Sequence, residues 1–275
     1  MSESRASRAS RGSRWPSPGR LLLSLTGVLA FVLLWHLATL GNSRTDIPGP
    51  YLTVQGLVEL IDSGQLLRNV VASLFRVAWG FVLAVALGIP LGLSIGWYRT
   101  ARLTLNPVIQ MLRPISPIAW LPMATLIFGA STWFDASDLA AIFLIFLSSF
   151  FPIVTATASA VASVELKYLR SAINFGVRGH RLVTRVILPS SLPQILTGLR
   201  LALGIAWVVV VAAEMLGVQS GLGFQVNDAR NNLRYDLVSA AMVVIGVTGL
   251  AIDGAMASLQ SHTLRRMGQR MGQQR

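Results

Sequence analysis

The chain has 275 residues, 53% of them hydrophobic and 12% charged, with a mean hydropathy of +0.61. That balance excludes an ordinary soluble domain and points to an integral membrane protein. The net charge of +12 fits the Lys and Arg excess of cytoplasmic loops. Nucleic-acid binding is disfavoured, because the basic residues are scattered between apolar runs without an aromatic–basic platform.

Residues 1–20 place Arg5, Arg8, Arg11, Arg14 and Arg20 among Ser, Ala and Pro, the composition of a disordered basic tail. Leu21–Leu40 reads as a retained first span. A signal peptide is the alternative, but the run is longer than a usual apolar core and no small-x-small cleavage site follows. Asn42–Leu67 is polar and broken by Pro48 and Pro50. Its patch of Val54, Leu57, Val58 and Ile61 suits a helix lying in the membrane interface. Val70–Trp97 is the second span, kinked at Pro90. Gly88, Gly92 and Gly96 recur at fourfold spacing and let another helix approach. Arg99 and Arg102 fall in a short loop. Val108–Gly129 is the third span, interrupted by Pro114, Pro117 and Pro122, and Asp135 and Asp138 mark the following turn.

Leu139–Val164 is the fourth span. Leu166–Gln194 is the longest polar interruption between apolar runs. Leu166, Leu169 and Ile173 share a helical face before Gly176, and Leu182, Val183, Val186 and Ile187 share another after it. Gly176 is suited to end the first of these short helices. Leu188-Pro189 and Leu192-Pro193 are expected to stop the second and start the next span. Ile195–Leu216 and Leu237–Leu259 are the fifth and sixth spans, and a basic tail, 261–275, follows. With six spans, both termini, Arg99–Arg102 and the 166–194 loop fall on one side. The bias of Lys and Arg assigns that side to the cytoplasm.

The single lysine is Lys167, so the chain contains no nucleotide-binding P-loop. No metal site or cofactor is expected on this chain: cysteine is absent, which removes disulfides and thiolate sites. Gly92–Gly96 matches G-x-S-x-G, but inside a span rather than at a strand–turn–helix elbow. An intramembrane serine protease centred on Ser94 would draw on His36, His180 or His262, and helix packing explains the glycines better. Four charges lie within spans: Arg76, Arg200, Glu214 and Asp253. Each is expensive in lipid and needs a partner or water. Helical rise puts Arg200 and Asp253 at similar depths of roughly 10–14 Å, which suits an ion pair. Glu214, about 21 Å from Arg200 along one helix, is left to Arg76. A direct substrate role is the alternative, chiefly for Arg76 with an anion. The prolines of the third span free backbone groups at membrane depth, where they are tolerated beside a cavity. Ser116, Pro117 and Trp120 are therefore candidates for a transport pathway.

Arg170-Ser171-Ala172, Gly176 after three further residues, and Val186-Ile187-Leu188-Pro189 after nine more resemble the EAA loop of permeases in binding-protein-dependent ABC importers. Two positions depart from that pattern: Arg170 stands for Glu, and Ser171 for Ala. Ser73-Leu74-Phe75-Arg76, Arg113–Pro122, Leu188–Trp207 and Ala212–Phe224 are similar to the nitrate, bicarbonate, sulfonate and taurine branch. The resemblance implies an all-α permease of the type I ABC importer fold. It implies six spans within 21–260 and cytoplasmic coupling helices in the 166–194 loop, where Arg170, Ser171, Ala172, Gly176, Val186, Leu188 and Pro189 would dock. It further implies two cytoplasmic ATPase subunits holding ATP and Mg, a second permease subunit, and an extracytoplasmic binding protein. The cargo would be a small anion, crossing a bacterial inner membrane with no covalent chemistry on this chain. A gradient-driven transporter or channel is the alternative, and a membrane scaffold the structural one.

Overall fold

The computed structural model describes residues 18–40, 47–131 and 135–272, so most of the basic N-terminal tail and the extreme C-terminus lie outside the described residues. Every regular element among the described residues is a helix. Four are long and apolar enough to cross a membrane. They are α3 (Gln65–Trp97), α6 (Ala136–Ala162), the continuous helix of α8 (His180–Leu182) and α9 (Leu188–Gly217), and α11 (Tyr235–Gly272). The expected first span corresponds to α1 (Pro18–Thr39), whose described apolar stretch, Leu25–Thr39, falls short of a crossing length.

The centre of the fold is the packing of α3 against α6. Gly80, Gly88, Gly92 and Gly96 lie on one stripe, with Ala84 filling the missing step. A Cβ on Gly80 would lie 2.6 Å from Ile145 Cγ2, and one on Gly92 would lie 2.6 Å from Thr157 Cβ. The absent side chains are what bring the two backbones together. Ile145, Ile153 and Val154 of α6 are fully buried as a result. On its other side α6 meets α9, where Gly198 admits Ala156. The two hydrophobic clusters around Ile153–Ile195 and Ile145–Trp207 tie α3, α6, α9 and α11 into one core.

Three sequence expectations change. The third span is not one helix. Its first part, α4 (Arg99–Leu112), is joined through a 3₁₀ turn (Pro117–Trp120) to α5 (Leu121–Phe128), and the two halves meet at 88°. Pro114 and Pro117 remove the N–H groups that would continue the ladder, so the chain turns. Arg99 and Arg102 are not in a loop. They start α4, and Arg102 donates to the Gly96 carbonyl at 2.7 Å, satisfying the end of α3. Finally, Pro189 and Pro193 do not separate a second loop helix from the fifth span. Val183–Ile187 forms a π-helical turn that carries His180–Gly217 through as one helix. The wider turn changes the bonding register just where Pro189 has no N–H to give.

The patch between the first two spans is helical. It forms α2 (Pro50–Asp62), which buries Thr53, Gly56 and Leu60. A Cβ on Gly56 would lie 2.7 Å from the Asp236 carbonyl oxygen, and Thr53 shares a 2.8 Å hydrogen bond with Ser239. Leu57 packs inward, while Val54, Val58 and Ile61 face outward. The polar segment after α9 forms α10 (Leu222–Asn231), which packs between α9 and α11.

Candidate functional site

Glu214 lies near the end of α9, at the end of the bundle remote from the 166–187 segment. Arg76 of α3 meets it there, with Nη1 2.6 Å from Glu214 Oε1. Asp138, in the first turn of α6, takes two more donors: Nε at 2.9 Å and Nη2 at 2.7 Å. The remaining Nη1 and Nη2 protons go to the carbonyl and hydroxyl oxygens of Ser220. All five guanidinium donors are thereby occupied, and Arg76 is 2% exposed. The other carboxylate oxygen of Glu214 accepts from Ser73 at 2.8 Å and from the Gly223 N–H at 3.0 Å. Asn69 accepts from the Gly221 N–H and donates to Gln225, and Ser73 accepts from the Leu222 N–H. The free N–H groups at the start of α10 are thus satisfied by α3 and α9. The positive end of that helix faces the Glu214 carboxylate, offsetting the excess negative charge around Arg76.

The glycines of the SGLGF stretch make this cluster possible. Gly221 has φ +103, and a Cβ there would lie 2.3 Å from the Glu214 carboxylate; one on Gly223 would lie 2.2 Å from the Val211 carbonyl. The cluster therefore locks α3, α6, α9 and α10 to one another. Among the described residues it leaves no Arg76 donor free for a transported anion.

Arg200 and Asp253 also pair, through Nε–Oδ1 at 2.6 Å and Nη2–Oδ2 at 2.5 Å. Their setting is the opposite. The side chains are 39% and 49% exposed, on a surface where Thr197 and Gln260 also join across α9 and α11. Outside the spans, Arg234 bridges Glu59 of α2 and Asp236 of α11. Those hydrogen bonds, to Asp236 first and Glu59 second, hold the Arg234 guanidinium above its usual value.

At the other end, α7 (Leu166–Asn174) closes on Gly176, which adopts φ +77. The Val177 N–H returns to the Ala172 carbonyl at 3.0 Å, a left-handed helix stop. Leu169 and Ala172 pack with Leu182, Ile187, Val161 and Trp97. Leu166, Tyr168, Ile173 and Phe175 project outward, Phe175 at 85% exposure. Arg170, Ser171 and Gly176 are exposed, while Val186, Leu188 and Pro189 are half-buried in the turn that becomes α9. Lys167 pairs with Glu165, a hydrogen bond that raises the Lys167 amine above its usual value. Ser116, Pro117 and Trp120 lie on the 88° bend, and none of them is a partner of Arg76.

Sequence reading missed Asp138, Ser220, Asn69, Ser73 and Gln225. A signal existed: Asn69, Ser73 and Arg76 lie at helical i, i+4, i+7 spacing, a polar stripe in an apolar run. Asp138 gave no such signal, because its partner is 62 residues away.

A model of the binding-protein-dependent transport system inner membrane component matches residues 88–269. The taurine transport system permease protein TauC of Escherichia coli is 35% identical over 90% of this chain and 90% of its own length. The bicarbonate transport system permease protein CmpB of Synechococcus elongatus is 35% identical over 90% of this chain and 91% of its own. Among solved structures, an inward-facing MetNI methionine ABC transporter aligns with a TM-score of 0.62 at 18% identity, covering 72% of this chain and 95% of that one. A bacterial alginate ABC transporter, in complex with a periplasmic protein, aligns at 0.57 and 17% identity, covering 90% and 95%. Those two likenesses concern the fold.

Proposed function

This chain belongs to the family of binding-protein-dependent transport system inner membrane components, and we propose that it carries a small anion across the membrane under the drive of ATP hydrolysed elsewhere. It is an ABC importer permease subunit of the type I fold. The observation that carries the coupling reading is the α7–Gly176 hairpin. Its exposed Leu166 and Ile173, on one face of α7, with Phe175 just past the helix end, offer an apolar surface suited to a groove on a partner. Its other side is continuous with the α9 span through the π-turn. Two cytoplasmic ATPase subunits, binding ATP and Mg, would receive that face, with Arg170 and Ser171 at its edge. Their closure would push the hairpin, and α9 would transmit the push as a rigid rod. A second permease subunit would complete the pathway, and an extracytoplasmic binding protein would deliver the cargo. The hairpin and both termini would face the cytoplasm of a bacterial cell.

The small-anion reading rests on the relatives, whose names give taurine and bicarbonate, and on the sequence motifs of that branch. The broken third span, with Ser116, Pro117 and Trp120 at the bend, is the segment proposed to border the pathway. The test replaces Phe175 and Ile173 with Glu. Copurification of the ATPase and ATP-dependent uptake are expected to fall together, with the melting temperature of the permease unchanged. Undiminished uptake would overturn the coupling reading and favour a gradient-driven carrier.

A further inference from the structure

A cavity of about 560 Å³ opens between α4 and α6, lined by Asn106, Gln110, Arg113, Pro114, Thr155, Ala158 and Ser159. Asn106, Gln110 and Arg113 stand at i, i+4 and i+7, so one face of α4 delivers all three. Thr155 and Ser159 stand at i and i+4 on α6 and meet that face. Ile109, beside these residues on the same side of α4, is buried against Ile95 and Val154, which anchors that side of α4 next to α6.

The hydrogen-bonding state of these groups is what sets the cavity apart. Around Arg76 every donor is taken, whereas here the donors are uncommitted. Arg113 forms no ion pair among the described residues, and no carboxylate lines the cavity. The side chains of Asn106, Gln110 and Ser159 make no hydrogen bond among the described residues, while Thr155 donates only to its own helix. Ser159 and Thr155 lie three and seven residues before the end of α6 at Ala162, about 5–10 Å inside the span. Arg113, Gln110 and Ser159 are exposed on this subunit and Asn106 is half-buried, and a bare cation with unfilled amide and hydroxyl groups is costly wherever lipid tails would cover it. Together they supply one positive charge and several N–H and O–H donors to an anion.

We propose that this notch binds a single oxyanion group, with Arg113 as its charge and Asn106, Gln110 and Ser159 as its hydrogen-bonding wall. A sulfonate, a carboxylate or a phosphate fits that chemistry. The group arrives either on a soluble anion or on a lipid headgroup, and the soluble form rests on the permease reading above.

The chain has no cysteine, so Ser159→Cys places one thiol in the wall. The probes are two methanethiosulfonate reagents of similar size, one ending in ethylsulfonate and one in trimethylammonium. Both act on the full-length chain, with its ATPase partner, in detergent. Normalised to their rates on free cysteine, the sulfonate reagent is expected to be favoured by about tenfold, the scale of a local field acting on one charge. Adding Arg113→Gln should abolish the preference, and Arg113→Lys should retain most of it. Protection of the thiol by millimolar ethanesulfonate or bicarbonate assigns the site to a soluble anion. Protection by phosphatidylglycerol, and not by those salts, assigns it to a headgroup. An unreactive thiol, equal normalised rates, or a preference that survives Arg113→Gln would overturn the proposal. ATP-dependent uptake by the unmodified chain is read separately. If it fails while the preference stands, the permease reading falls and the oxyanion site remains.

Discussion

Two intramembrane ion pairs, built from the same functional groups, occupy opposite environments. Arg76–Glu214 is 2% and 0% exposed at its side chains, and every donor and carboxylate oxygen in it is matched within this chain. Arg200–Asp253 has good two-pronged geometry, yet roughly half of its surface remains open. A buried charge depends on its whole shell, because removing one partner strands the other without water. An open pair loses little when broken in solvent. The first pair therefore belongs to the stability of this subunit. The second needs something beyond the subunit, water or another chain, to be tolerable in the membrane.

That contrast predicts a graded series of effects. Arg76→Leu leaves Glu214 buried and unpaired and is expected to cost about 3–5 kcal/mol, read as lost expression or a sharply lowered melting temperature in detergent. Gly80→Leu comes next. It would force a side chain into Ile145, where even a Cβ would sit 2.6 Å away, at a cost of about 1–3 kcal/mol or more. Asp135→Ala removes the cap on α6, which accepts from the Ser137 N–H at 2.9 Å, and is expected to cost about 1 kcal/mol. Arg200→Leu is expected to change the melting temperature of the isolated subunit least, within about 1 kcal/mol, while changing the behaviour of the assembled transporter. If Arg200→Leu destabilised the isolated subunit as strongly as Arg76→Leu, the two pairs would not differ in the way their burial indicates.

The cap also gives a pH dependence. Hydrogen bonds from Ser137, side chain first and backbone second, hold the Asp135 carboxyl below its usual value. A depressed folded value means that the charged carboxylate stabilises the fold above about pH 4, its unfolded range. That contribution is lost as pH falls through the lower folded value. The unfolding difference between the parent chain and Asp135→Ala should therefore be constant at neutral pH and shrink in strong acid.

Much of the architecture was legible because it is local. The Gly88–Gly92–Gly96 spacing announced a close helix contact, and Gly176 announced a helix stop. The in-span charges announced partners, since a lone charge in lipid is prohibitive. Features set by distant parts of the chain were not legible. Pro189 and Pro193 read as helix breaks, but a π-turn at Val183–Ile187 leads into Pro189 and the helix runs on past Pro193, and nothing local distinguishes the two outcomes. The prolines at 114 and 117 announced an interruption without its 88° angle, which is fixed by packing of α5 on α6. Arg76 read as a possible anion contact because its competitors, Asp138 and Ser220, come from separate elements. The uncommitted Arg113 was hidden for the converse reason: only the fold shows which cations have found a partner.

The decisive measurement is ATP-dependent uptake in proteoliposomes holding this chain with its ATPase and binding protein, compared between the parent chain and Phe175→Glu with Ile173→Glu. Uptake is expected to require ATP in the parent and to disappear in the variant, with the ATPase no longer bound and the spans melting at the parent temperature. Uptake that proceeds without ATP, or survives loss of the hairpin's apolar face, would contradict the coupling of this permease through α7.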